Sequence, residues 1–128
     1  MARILIIEDD DKVRTLLERF MVLDGHEVET AENGLVGLKM IASKQYDLLI
    51  TDIVMPEQDG IGVLIELRKK SSKLKTIVIT GGTSKLDVQN LMQTAKVLKA
   101  DRVLTKPLDF ENLKLTVAEL LKPSEEAG

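Results

Sequence analysis

The sequence predicts an α/β fold, a five-stranded parallel sheet flanked on both faces by five helices. Three observations carry this. Short β-branched runs alternate five times with longer amphipathic stretches. The third run is apolar enough to be buried on both faces. And 128 residues suit one domain that buries roughly two-thirds of the surface of its unfolded chain.

Arg3 to Ile7 is a continuous apolar run ending in acids, and Lys12 to Leu23 follows with Val13, Leu16, Leu17, Phe20 and Met21 at helical spacing. Asp24-Gly25 closes that helix. Glu27 to Thr30 reads as a short second strand, and Asn33 starts a second helix carrying Leu38, Ile41 and Ala42. Tyr46 to Thr51 is the third strand. Pro56 and Gly60 break the chain, Ile61, Leu64 and Ile65 mark the third helix, and Lys69-Lys70-Ser71-Ser72 is a surface loop. Thr76 to Ile79 is the fourth strand. Ser84 caps a predicted fourth helix with Val88, Leu91, Met92 and Ala95 as its buried stripe, and Val103 to Thr105 is the fifth strand. Asp109 caps a last helix that packs through Phe110, Leu113, Val117, Leu120 and Leu121. Residues 123–128 read as a flexible tail or the start of a linker, leaving 1–122 as the domain.

Composition removes several function classes. Zero cysteines exclude disulfides, thiolate catalysis and cysteine-ligated zinc, and a single histidine, His26, excludes a histidine-rich metal site. A hard-metal oxygen site remains. Eighteen basic against 21 acidic residues lack the excess that a dedicated nucleic-acid binder uses, so no direct nucleic-acid contact is expected. No apolar run reaches the ~18 residues of a membrane span and none resembles a signal peptide, so no membrane partner and a cytoplasmic location are expected. His26 reads as a surface or loop residue. With only Phe20, Tyr46 and Phe110 as aromatics, the core must be aliphatic.

A parallel α/β sheet places its ligand site at the carboxyl ends of its strands. Those ends carry Glu8, Asp9 and Asp10 after the first strand, Asp52 after the third, Thr80 after the fourth and Lys106-Pro107 after the fifth. Carboxylates, a hydroxyl and an amine are thus brought to one rim. Glu8-Asp9-Asp10 alone would serve as a helix-initiating acid cluster. Asp52 on the same rim has no capping role, which favours a site. Thr80-Gly81-Gly82-Thr83-Ser84 lacks the spacing of a nucleotide phosphate loop.

These residues resemble the response-regulator receiver domain of two-component signalling over residues 2 to 122. The resemblance rests on Ile4-Leu5-Ile6-Ile7-Glu8-Asp9-Asp10, Asp47-Leu48-Leu49-Ile50-Thr51-Asp52 with Met55-Pro56 and Asp59-Gly60, Thr80-Gly81, and Leu104-Thr105-Lys106-Pro107, in order and near the family spacing. It implies a (βα)5 flavodoxin-like sheet of strand order 2-1-3-4-5, with a cis-prolyl joint at Lys106-Pro107. It further implies that Asp52 accepts a phosphoryl group from a sensor histidine kinase or phosphotransfer protein and that a downstream protein target reads the result. Glu8 and Asp9 match the family's acid pair, Thr80 its switch hydroxyl and Lys106 its phosphate-pairing lysine, and the backbone carbonyl at Val54 matches a further metal ligand.

Chemistry supports these roles. Phosphoryl transfer needs positioning and charge neutralisation, so a nucleophilic carboxylate, a divalent cation and a cationic side chain form a minimal site. Clustered carboxylates repel unless a hard cation such as Mg²⁺ sits among them; Asp9 and Asp52 would be direct ligands and Glu8 one shell further out. Three departures touch the readout surface. Twenty-five residues separate Thr80 from Lys106, a few more than usual; Val103 stands where many receivers carry a switch aromatic; and Lys99 replaces a helix-ending glycine. A phosphoacceptor switch is the first functional reading, with a phosphorylation-independent interaction module as the alternative. A Mg²⁺-dependent phosphatase would want a second Asp where Val54 stands, so only slow hydrolysis of its own acyl phosphate is expected, with no turnover of external substrates.

Overall fold

The computed structural model describes residues 2–52, 60–69, 74–81, 93 and 99–122. Five parallel strands, β1 (Arg3–Ile7), β2 (Glu27–Ala31), β3 (Leu48–Asp52), β4 (Lys75–Thr80) and β5 (Arg102–Thr105), form one sheet in the order β2-β1-β3-β4-β5. Four helices are described: α1 (Asp11–Leu23), α2 (Gly34–Ser43), α3 (Gly60–Lys69) and α4 (Phe110–Leu120). The helix predicted from Ser84 through Ala95 lies outside the described residues, as do Val54, Met55-Pro56, Asp59, the predicted loop at 70–72 and the tail 123–128.

Successive β-strand side chains point to opposite faces, and the sheet uses this to build two cores. Ile4, Ile6, Leu48, Ile50, Ile77 and Ile79 face α1 and α4, meeting Leu17, Met21, Leu113 and Val117. Leu5, Ile7, Ala31 and Leu49 face the other way, onto Val63 and Leu67 of α3, with Leu38 and Ile41 of α2 against them. Both cores are aliphatic. Phe20 and Phe110 add a tilted ring contact, centroids 4.9 Å apart, that ties α1 to α4.

Local chemistry sets the element ends. The Asp10 side chain accepts from the Lys12 and Val13 amides at 2.9 and 3.2 Å, Asn33 accepts from Val36 at 2.9 Å, and Asp109 accepts from Asn112 at 3.1 Å. Each such cap contributes about 1 kcal/mol by satisfying amides that a helix start leaves orphaned. Gly25, at φ 94°, ends α1 as Asp24-Gly25 predicts.

Several expected burials do not hold. Leu16 is 55% exposed, and Ile65 and Ala42 are exposed as well. The stripe of α1 is narrower than its apolar positions suggest, and α3 turns Val63, Leu64 and Leu67 inward instead. In α2 the buried positions are Gly34 and Gly37, and at Gly37 the helix lies so close to Ile7 of β1 that there is no room for a larger residue. A Cβ on Gly37 would overlap Ile7 Cδ1 and lie 2.7 Å from Ile7 Cγ1. His26 is held rather than loose: its Nδ1 accepts from the Ala2 amide at 3.2 Å, and Nε2 lies 3.5 Å from Asp24.

Candidate functional site

Strand order reverses about β1, which has β2 on one side and β3 on the other, so the crevice outside the carboxyl ends of β1 and β3 is where such sheets bind ligands. The register Ile7↔Thr51 brings those two ends level. Glu8 and Asp9 leave β1 there, and Asp52 closes β3. One carboxylate oxygen from each lies within 4.8 Å of the others. Thr80 ends β4 and Lys106 follows β5, where its amide donates to the Thr80 carbonyl at 2.9 Å.

Burial differs sharply among the three acids. Glu8 is 1% exposed and Asp52 5%, whereas Asp9 is open to solvent. Lys106 supplies the nearest opposite charge: its Nζ lies 2.7 Å from Asp52 Oδ2 and 3.3 Å from Glu8 Oε1. Gly81 gives the lysine stem its path, since a Cβ there would meet Lys106 Cδ at 2.9 Å and Cβ at 3.1 Å. The Lys106-Pro107 peptide is cis.

The electrostatics follow from this crowding. Burial pushes the Glu8 carboxyl up to about 7; the Asp10 amide pulls against that, and the Asp52 charge adds to it. Burial draws the Lys106 amine down, but the hydrogen bond and charge of Asp52, with Glu8 behind it, outweigh burial and leave it above its ordinary value. Asp52 and Glu8 thus share one ammonium, with the Asp9 carboxylate beside them.

Two buried atoms carry the residual demand. Glu8 Oε1 and Thr80 Oγ1 make no hydrogen bond among the described residues, although Oε1 faces the Lys106 charge. A buried polar atom without a hydrogen bond is costly, so such atoms mark where a ligand is anticipated. An all-oxygen set with excess negative charge suits a hard divalent cation such as Mg²⁺, and the residues present fit one.

Glu8, Asp9, Asp52, Thr80 and Lys106 therefore sit on one rim as anticipated. Asp10 does not join them; it turns away to cap α1. The triple acid run is divided between two jobs, and the capping interpretation holds for its third member. Sequence reasoning missed Arg14, whose Nη1 donates to the Glu8 carbonyl at 2.9 Å while Nη2 pairs with Asp11. The only signal for it was the i,i+3 spacing from Asp11. Val103 pairs with Val78 in β5 and is partly buried.

Among the described residues no helix is long and apolar enough to cross a membrane. Comparison with known proteins agrees with the geometry. The chain is 35% identical over 128 residues to the response regulator MprA of Mycobacterium avium, covering 98% of this chain and 54% of that protein. It spans about half the length of most curated relatives it matches, and a quarter of one. The response regulator TrrA of Thermotoga maritima, solved in complex with Mg²⁺ and BeF, superposes with a TM-score of 0.81 at 37% identity, covering 94% of this chain and all of that one. A CheY-like receiver domain protein of Methanospirillum hungatei reaches a TM-score of 0.88 at 27% identity, over 100% of this chain and 99% of that one. Residues 4–118 match the response regulator receiver domain model, and with the acid cluster at the β1/β3 crevice of a 2-1-3-4-5 sheet the chain belongs to that family, the receiver domains of two-component signal transduction.

Proposed function

We propose that this domain, taken as residues 1–122, is a phosphoacceptor switch in which Asp52 is the nucleophile. The supporting observation is one constellation: Lys106 Nζ 2.7 Å from Asp52 Oδ2, beside carboxylate oxygens of Glu8, Asp9 and Asp52 gathered within 4.8 Å. A carboxylate oxygen of Asp52 attacks the phosphorus of a phosphohistidine on a sensor histidine kinase or phosphotransfer protein. The P–N bond breaks, its electron pair leaves with the imidazole, and an acyl phosphate forms on Asp52.

Asp9 and Asp52, with Glu8 behind them and the Val54 carbonyl by resemblance, would hold Mg²⁺, which neutralises phosphate charge when bound. Lys106 exchanges its pairing with the Asp52 carboxylate for a phosphate oxygen, as a point charge. Thr80 contributes a buried hydroxyl with no competing hydrogen bond among the described residues, so turning toward the phosphoryl group costs it none of those. That movement biases the segment between β4 and β5 between two arrangements, read by a downstream protein target. The acyl phosphate is lost slowly to water, without turnover on external substrates.

The test is incubation with Mg²⁺ and acetyl phosphate, followed by intact mass. Wild type gains one phosphoryl group and Asp52→Asn gains none. An adduct that persists in Asp52→Asn, or no adduct on wild type with any phosphodonor, overturns the reading.

A further inference from the structure

The connection from β1 to α1 has to hold two carboxylates, one buried and one in solvent. Glu8 is fixed from several sides: its amide donates to the Ala31 carbonyl at 3.1 Å, its Oε2 accepts from the Asp10 amide at 3.1 Å, and its Oε1 faces Lys106. Asp9 has no comparable set of backbone bonds among the described residues. It is exposed, and the side chain it meets is the neighbouring Glu8 carboxyl. Its direction therefore depends on the peptide that joins it to Glu8.

Arg14 holds that peptide. Its Nη1 donates to the Glu8 carbonyl at 2.9 Å, and its Nη2 is anchored on Asp11 in the first turn of α1. The Arg14 side chain is 19% exposed, so the bond to the carbonyl is largely shielded from competing water. A guanidinium presents its donors in a rigid plane, so anchoring one end orients the other. An ammonium in the same place has no fixed fork with which to serve both partners.

We propose that Arg14 is a positioning residue for the acid pair: through the Glu8 carbonyl it sets the direction of Asp9 and thereby the affinity of the carboxylate cluster for its divalent cation. This rests on the reading of the site given above. Groups that orient metal ligands without touching the metal typically contribute about 10-fold or more to affinity.

The full chain is titrated with Mg²⁺ by calorimetry as wild type, Arg14→Met and Arg14→Lys. Arg14→Met keeps the aliphatic stem and removes every donor, and its Kd rises about 10-fold; Arg14→Lys falls between. In acetyl phosphate reactions the shift lies in the Mg²⁺ concentration giving half the maximal rate, more than in the rate at saturation. Without metal, amide hydrogen exchange quickens at Asp9 but not at Ile4 to Ile6. An unchanged Kd in Arg14→Met overturns the proposal, and so does a loss of affinity accompanied by loss of protection through β1, which would mark a general fold defect. If Arg14→Met does not fold, Arg14→Lys carries the same comparison. Failure of wild type to accept a phosphoryl group refutes the functional reading alone, because the Mg²⁺ affinities still report on Arg14.

Discussion

Gly37→Ala sets two well-measured effects against each other. In a helix interior, replacing glycine with alanine contributes about 1 kcal/mol through reduced backbone freedom in the unfolded chain. Gly37 lies within α2, so helix propensity alone predicts stabilisation. The structure reverses the sign. The new Cβ overlaps Ile7 Cδ1, lies 2.7 Å from Ile7 Cγ1 and has Ala31 Cβ at 3.7 Å behind them. Ile7 is β-branched and fully buried in the second core, where close packing resists a change of rotamer. Overpacking costs about 1–3 kcal/mol, and an overlap against a stiff buried side chain belongs at the upper end. The net expectation is destabilisation by about 2 kcal/mol, or roughly 7 °C in melting temperature for a domain of this size.

Thermal and urea unfolding followed by far-ultraviolet circular dichroism measure it. A double-mutant cycle with Ile7→Ala isolates the cause, because that change removes both clashing carbons. In the Ile7→Ala background Gly37→Ala should stabilise by about 1 kcal/mol, giving a coupling near 3 kcal/mol. If Gly37→Ala stabilises wild type, or costs the same in both backgrounds, the close approach of α2 to β1 is not what constrains this position.

Two further expectations concern a backbone position and a proton. Lys99 adopts φ 63°, a left-handed conformation that strains an L-residue, while its carbonyl accepts from Arg68 at 2.9 Å. Lys99→Gly relieves the strain and keeps that backbone acceptor, so it should raise stability by about 0.5–1 kcal/mol after the added freedom of the unfolded chain is counted; a lower melting temperature would contradict this. Tyr46 is the single tyrosine in a chain without tryptophan, so tyrosinate absorbance reports it alone. Burial, with the 2.6 Å hydrogen bond from its hydroxyl to Glu29, pushes it up to about 12. The folded protein favours the neutral phenol, so stability from this group is intact below pH 10 and is lost as pH rises from about 10 to 12. Glu29→Gln should lower the midpoint toward 10, and no change on that substitution would remove Glu29 as a cause.

The strands were legible because their signal is local. An unbroken apolar run such as Arg3–Ile7 can be buried on both faces only in a covered sheet, and the observed strand has those bounds. The helices were less so, since spacing shows which residues share a side but not how wide the contact with the sheet is. Leu16 and Ile65 occupy apolar positions yet lie at the exposed margin. Gly37 shows the converse, a residue with no hydrophobic signal at a close contact of its helix with β1.

At the site, the residue types were determined by sequence alone. A carboxylate after the first and third strands, a hydroxyl after the fourth and a lysine after the fifth must converge in a parallel sheet, because every strand points the same way. Tertiary structure decided how those groups are shared. It sent Asp10 to the α1 amides while leaving Glu8 and Asp9 with Asp52, and it placed Lys106 nearer to Asp52 than to Glu8. It also brought Arg14 back from the first turns of α1 to the Glu8 carbonyl. Those choices turn on small differences in distance, such as 2.7 against 3.3 Å at Lys106, and spacing along a chain does not encode them.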